Sequence, residues 1–170
     1  RHGGSSPLAR IVLIPNSEVI MQMTSTTISP YIFREYDIRG IAGKELTEDV
    51  ALNVGKAFGT VLRRDGKQKV VIGHDHRWSA EFLFRGLSAG LQSCGLTVID
   101  IGLVPTPLIY FYVAHNNLDA GVSLTGSHNP PDENGFKFQH ATRSFYGKEI
   151  QGLRQLIEKQ RIEEQILMAR

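Results

Sequence analysis

The chain holds one cysteine, Cys94, and one tryptophan, Trp78. A lone thiol cannot close an internal disulfide, so a disulfide-stapled secreted scaffold is excluded and a reducing, cytoplasmic setting is favoured. No apolar run approaches the ~20 residues a membrane helix needs, and no membrane partner is expected. Charge of one sign is also scarce. Nineteen Lys and Arg against seventeen Asp and Glu leave +2, too little to draw nucleic acid or a lipid surface by charge alone. What remains is ordinary globular composition: 41% hydrophobic and 21% charged over 170 residues. That is enough for one domain with a sizeable core, and it argues against disorder through most of the chain.

The first 29 residues read differently from the rest. RHGGSS at residues 1–6 has the composition of a flexible polar tag, and the sequence does not begin with Met. The short apolar run from Leu8 to Ile14 contains Arg10 and is followed by Pro15. A secretory signal would need a longer apolar core and a small-residue cleavage site. Met21 and Met23 are candidate starts, and the Ser/Thr-rich stretch after them has the character of a loose leader. Residues 1–29 are therefore assigned to a leader or upstream extension outside the fold.

From Tyr31 onward, strand and helix signals alternate. Thr47 is a good N-cap, followed by Glu48 and Asp49 where the helix dipole favours negative charge. Val50, Val54, Ala57, Phe58, Val61 and Leu62 then recur at helical spacing. Val70 to Ile72 predicts a buried strand. Ser79 is placed to cap a second helix that stops at Gly95. LTVIDI (residues 96–101) predicts the next strand, a third helix runs over about Leu108 to His115, AGVSL (residues 120–124) gives another strand, and GFKFQ (residues 135–139) a short one. A last helix starts near Gly147. Apolar strands separated by helices predict an α/β fold, a three-layer α/β/α domain with a mainly parallel mixed sheet.

Sheets of this kind place their sites at the carboxyl ends of the strands. The loop Thr125-Gly126-Ser127-His128-Asn129-Pro130-Pro131 follows the strand at residues 120–124. Gly126 permits a sharp bend or close approach to a phosphate, and the two prolines stiffen the exit. Ser127 there is either a nucleophile or phosphate carrier, or one more hydroxyl of a polar turn. Arg34 and Arg39 in FREYDIRG (residues 33–40) suit forked hydrogen bonds to phosphate, or a salt-bridged turn. Lys137 in NGFK brings an ammonium back toward the serine loop, or stands solvated on the surface. A third polar loop, GHDHRWS (residues 73–79), contains Arg77; its two histidines and one acid fall short of a transition-metal site without a distant third ligand.

Together these segments resemble the α-D-phosphohexomutases, in the form of the bacterial phosphomannomutase/phosphoglucomutase branch. The resemblance rests on YDIRG (residues 36–40), the 73–79 loop, VPTP (residues 104–107) and TGSHNP (residues 125–130) followed by NGFK (residues 134–137), in that order. It covers about residues 30–150, and the serine motif is its most specific part. One departure is visible: the family usually carries Gly-Arg-Asp where this chain has Gly73-His74-Asp75.

The resemblance implies that Ser127 is the phosphocarrier and a Mg²⁺ ligand through its phosphate. It implies that His128 is an active-site neighbour, and that Arg39 and Lys137 assist phosphate binding and proton transfer. Arg34, Thr125, Asn129 and Arg77 are the implied phosphate- and substrate-binding set. The implied substrate is a hexose phosphate, mannose or glucose, with a hexose 1,6-bisphosphate as intermediate and activator. The family enzyme has four domains, so residues 30–150 correspond to domain 1, and residues 151–170 to the start of a linker helix toward a missing domain 2. The Asp-rich metal loop of domain 2 has no counterpart among the scattered acids here. An isolated fragment is therefore expected to be inactive. The apolar stripe of the tail (Ile150, Leu153, Leu156, Ile157, Ile162, Ile166, Leu167) would pack on a neighbouring domain, on a second copy, or on this chain's own core. A phosphate-binding or interaction module without turnover is the alternative reading.

Overall fold

Residues 9–13 and 28–159 are described by a computed structural model. Among the described residues, seven strands form one sheet: β1 (Arg10–Ile11), β2 (Ile38–Ile41), β3 (Lys69–His74), β4 (Thr97–Leu103), β5 (Ala120–Leu124), β6 (Glu133–His140) and β7 (Arg143–Phe145). Four α-helices accompany them: α1 (Glu48–Arg64), α2 (Ala80–Ser93), α3 (Thr106–His115) and α4 (Lys148–Glu158). The strand order is β1-β4-β3-β5-β6-β2, with β7 also on β6. β3 pairs in parallel with both β4 and β5, while β6 is antiparallel to β5, β2 and β7. β2 and β7 thus run in the same direction as the central three strands.

The connectivity sets the layers. From β3 the chain moves outward to β4 through α2, then returns across β3 to β5 through α3. Right-handed crossovers taken in opposite directions along a sheet put their helices on opposite faces. The core divides accordingly. Val70, Ile72 and Val122 pack with α1, α2 and α4 on one face, and Val71 packs with Ile109 and Val113 of α3 on the other. The period-2 alternation Val70-Val71-Ile72 is thus split between two cores, as a strand buried on both faces requires. The first face is dominated by Phe58, Phe138 and Phe145, whose ring centroids lie 4.8–5.9 Å apart.

Thr47 caps α1 as predicted, its hydroxyl accepting from the Val50 amide at 3.2 Å. Ser79 does not cap α2. It occupies the N-cap position without a capping bond, and its Oγ instead accepts from Asn134 Nδ2 at 2.7 Å in a fully buried setting. That bond fastens the start of α2 to β6.

Three strands escaped the sequence patterning: β1, β2 and β7. β1 also changes the expectation for residues 1–29. Arg10 and Ile11 pair antiparallel with Asp100 and Ile99, and Arg10 forms an ion pair with Asp100 at 2.9 Å. A piece of the extension therefore covers the free edge of β4. In α4, Ile150 and Leu153 are buried in this chain's own core, with Leu156 and Ile157 packed against it. Ile162, Ile166 and Leu167 lie outside the described residues. Among the described residues, no helix is long and apolar enough to cross a membrane.

Candidate active site

The loops after β3 and β5 meet at the carboxyl ends of those two adjacent parallel strands. Asp75 follows β3, and its amide donates to Leu124 O at the end of β5 (3.0 Å). Its carboxylate accepts from the Thr125 hydroxyl and the Gly126 amide, both at 2.9 Å, and from the Arg77 amide at 3.0 Å. Burial pushes the Asp75 carboxyl up, but these hydrogen bonds and the Arg77 charge outweigh it and hold it below its ordinary value.

Ser127 stands exposed at the apex of the loop with φ +53°, a backbone region that non-glycine residues rarely adopt. Its amide donates to Thr125 Oγ1 at 2.9 Å, and its Oγ lies 3.3 Å from His128 Nδ1. Asn129 follows with its amide on Gly126 O at 3.0 Å, closing the turn.

Arg39 reaches this loop from β2. Its Nη1 donates to Asn129 Oδ1 at 3.0 Å, while its Nη2 and Nε donate to Asp37 Oδ2 at 2.6 and 3.2 Å. Arg39 faces Gly135 across the β2–β6 pair, and Lys137 faces Ser123 across β5–β6. Directly opposed residues share a sheet face, and positions two apart on one strand share it too. Arg39 and Lys137 are therefore diagonal neighbours on the face that carries α3, with side-chain-free Gly135 between them. A Cβ at Gly135 would collide with Ile38 O. On the same face Ser123 Oγ is 2.7 Å from Thr106 Oγ1, which explains the VPTP segment: its threonine ties the start of α3 to β5.

Arg77 does not offer its guanidinium outward as a phosphate ligand. The side chain is one-tenth exposed and its guanidinium is wrapped by backbone carbonyls of the serine loop (Asn129 O at 2.8 Å, Ser127 O at 3.3 Å, and Pro130 O) and of the first residue of β6 (Glu133 O at 2.8 Å). Arg34 lies apart from these residues. Its side chain is exposed, and its amide donates to Asp37 O at 2.9 Å within the turn before β2. His74 turns its Nδ1 to Asp75 O at 2.8 Å and sets its ring edge-on to Phe84.

The sequence offers Asp75 only as the acid of a weak metal cluster, and Asp37 only as a neighbour of the two arginines. Their signal was present: each sits two residues before an arginine in a polar loop, the spacing that lets a carboxylate and a guanidinium meet across a turn. Asn134, in the NGFK segment, was likewise seen only as a neighbour of Lys137.

Residues 30–164 match the family model for phosphoglucomutase/phosphomannomutase, alpha/beta/alpha domain I. The chain belongs to that family. It is 46% identical over 135 residues to a phosphomannomutase/phosphoglucomutase of Pseudomonas aeruginosa PAO1, covering 78% of this chain and 29% of that protein. It is 40% identical over 133 residues to a phosphoglucomutase of Neisseria gonorrhoeae, with the same coverage. A crystal structure of a phosphoglucomutase/phosphomannomutase family protein from Burkholderia thailandensis superposes with a TM-score of 0.76 at 43% identity, over 81% of this chain and 32% of that one. The chain thus spans about three-tenths of the length of these relatives.

Proposed function

We propose that this chain is the catalytic-serine domain of a phosphohexomutase interconverting hexose 1-phosphate and 6-phosphate. The observation that carries the reading is Ser127 itself: exposed, in a rare backbone conformation, at the carboxyl end of a central strand, with Arg39 hydrogen-bonded to its loop. Phosphoryl transfer demands positioning and cationic compensation far more than covalent elaboration. In the proposed cycle, phosphorylated Ser127 gives its phosphoryl group to the free hydroxyl of a hexose phosphate. The bond from Ser127 Oγ to phosphorus breaks, a sugar O–P bond forms, and the hydroxyl proton leaves as Ser127 Oγ gains one. The resulting hexose 1,6-bisphosphate then returns its other phosphoryl group to Ser127.

His128, with Nδ1 beside Ser127 Oγ, is placed to exchange that proton. Arg39 and Lys137 supply positive charge on one sheet face. Thr125 and Asn129 shape the loop. A role for Arg34 in binding a distal phosphate is compatible with its exposure.

Mg²⁺ fits this chain only in part. Among the described residues no three acidic, histidine or cysteine side chains converge, and phosphorylated Ser127 would furnish a single oxygen ligand. When bound, the ion would offset phosphoryl charge; its other ligands, like the sugar-selecting groups, would come from the further domains that the relatives' length implies.

The test is phosphate labelling with a hexose 1,6-bisphosphate in the mutase that carries this domain, followed by peptide mapping. Label on Ser127 is expected. Label on another residue, or none, overturns the assignment and favours a binding module without turnover.

A further inference from the structure

We infer that Asp75 and Arg77 are positioning residues that lock the backbone of Ser127 through a closed ring of three hydrogen bonds and one ion pair, an inference that rests on Ser127 being the phosphocarrier. The ring can be followed atom by atom. The Ser127 amide donates to Thr125 Oγ1 (2.9 Å), and the Thr125 hydroxyl donates to Asp75 Oδ2 (2.9 Å). Asp75 Oδ2 pairs with Arg77 Nε (3.3 Å), and Arg77 Nη2 donates to Ser127 O (3.3 Å). Both peptide units flanking the serine are thereby held, one through its N–H and the other through its C=O.

Such holding is needed because of the conformation. A serine at φ +53° persists only where its surroundings over-determine it. The rest of the clamp does this. The Gly126 amide donates to the same Asp75 oxygen, and Arg77 also grips Asn129 O, Pro130 O and Glu133 O on the far side of the apex. Gly126 lies flat against the guanidinium, and a Cβ there would overlap Arg77 Cζ and Nε. Glycine at 126 therefore serves the approach of Arg77 to the backbone.

The consequence concerns direction. With the peptide planes fixed, the Cα–Cβ vector of Ser127 is fixed, and with it the arc available to Oγ. In-line transfer depends on that arc, and a displacement near 1 Å is enough to cost about 100-fold in rate. Arg77 acts here through Ser127, its guanidinium being taken up by Asp75 and backbone carbonyls, so its loss should fall on the transfer step rather than on substrate affinity.

Two kinds of measurement test the ring. In the 170-residue chain, the strong intraresidue amide–Hα NOE that a positive φ produces should be seen at Ser127, and should weaken in Arg77→Lys and in Thr125→Val but not in Thr125→Ser. In the mutase carrying this domain, Arg77→Lys and Thr125→Val should lower kcat by about 10- to 100-fold with KM changed less than about 3-fold, and Thr125→Ser should restore most of the rate. If Arg77→Lys fails to fold, the Thr125 pair decides. An unchanged NOE in Thr125→Val overturns the ring, and a lost NOE with unchanged kcat overturns its bearing on transfer. An unmodified Ser127 in the wild-type mutase defeats the phosphocarrier reading instead, and leaves the NOE series to judge the ring alone.

Discussion

Arg39 spans Asp37 and Asn129, donating to the buried carboxylate at 2.6 Å with one nitrogen and to the loop amide at 3.0 Å with another. It thus has a structural partner and a site partner at once. Arg39→Ala should accordingly cost stability as well as rate. Asp37 is only 5% exposed, and removing its cation leaves a buried charge uncompensated, a loss of about 3 kcal/mol. In the mutase, kcat should fall by about two to three powers of ten. Thermal denaturation alongside steady-state kinetics checks both; a melting temperature equal to the wild type would show that Asp37 does not depend on Arg39.

Ser127 should show the opposite behaviour, activity falling while stability rises. Ser127→Gly removes the side chain from a left-handed backbone position. It should gain up to about 1 kcal/mol, partly offset by glycine's greater freedom when unfolded, or about 2 °C in Tm. Phosphate uptake should vanish at the same time. A Tm that falls by several degrees would show that the hydroxyl supports the loop.

Acid should loosen the serine loop by way of Asp75. Its carboxyl is held below the ordinary value of 3.8 in the folded chain, so the folded state binds fewer protons than the unfolded state in that range. The stability this supplies is complete above the ordinary value and is lost as pH falls through the lower, folded one. Urea midpoints at about pH 5 and about pH 3 should therefore differ more for the wild-type chain than for Asp75→Asn. Equal differences would refute the depressed value.

The contact between α1 and α2 is made close by small residues. A Cβ at Gly90 would run into Leu52 O and Lys56 N of α1. Gly90→Ala should destabilise the chain by about 1–3 kcal/mol, by overpacking backbone rather than a movable side chain. A denaturation midpoint unchanged from wild type would mean that the helices can separate at little cost.

The 170-residue chain by itself should show no mutase turnover with Mg²⁺ and a hexose bisphosphate present. Half a site lacks both the remaining metal ligands and the groups that select the sugar. A coupled assay yielding rates of order 1–1000 per second would contradict this.

Much of this architecture was legible from the sequence because burial leaves a period. Val70 to Ile72 is an unbroken apolar run and Ala120 to Leu124 is apolar but for Ser123, and both are strands buried on two faces. β2 was illegible for the converse reason. Its Ile38-Arg39-Gly40-Ile41 sequence carries a cation and a glycine where a strand signal would be, and pairing with β6 gives it the strand conformation. Ser79 shows a similar limit: serine before a helix suits a cap, yet the long-range partner Asn134 won its hydroxyl. The serine loop itself was visible in TGSHNP. Arg77 was assigned to phosphate because an arginine's donors are visible in a sequence and the carbonyls that surround it are not.

β6 lies between β5 and β2, and its pairing with β2 joins residues 92 to 98 positions apart in the chain, from Ile41↔Glu133 to Ile38↔Phe136. During synthesis, β2 emerges early and has no partner until β6 has left the ribosome. Non-local pairing of this kind is slow to form, because loop-closure entropy must be met before contacts reward it. Arg39 is therefore held against Asn129 from a paired β2 only once β6 is present. A nascent chain stalled before residue 133 would lack the strand that pairs with β2, and with it the support that carries Arg39 to Asn129.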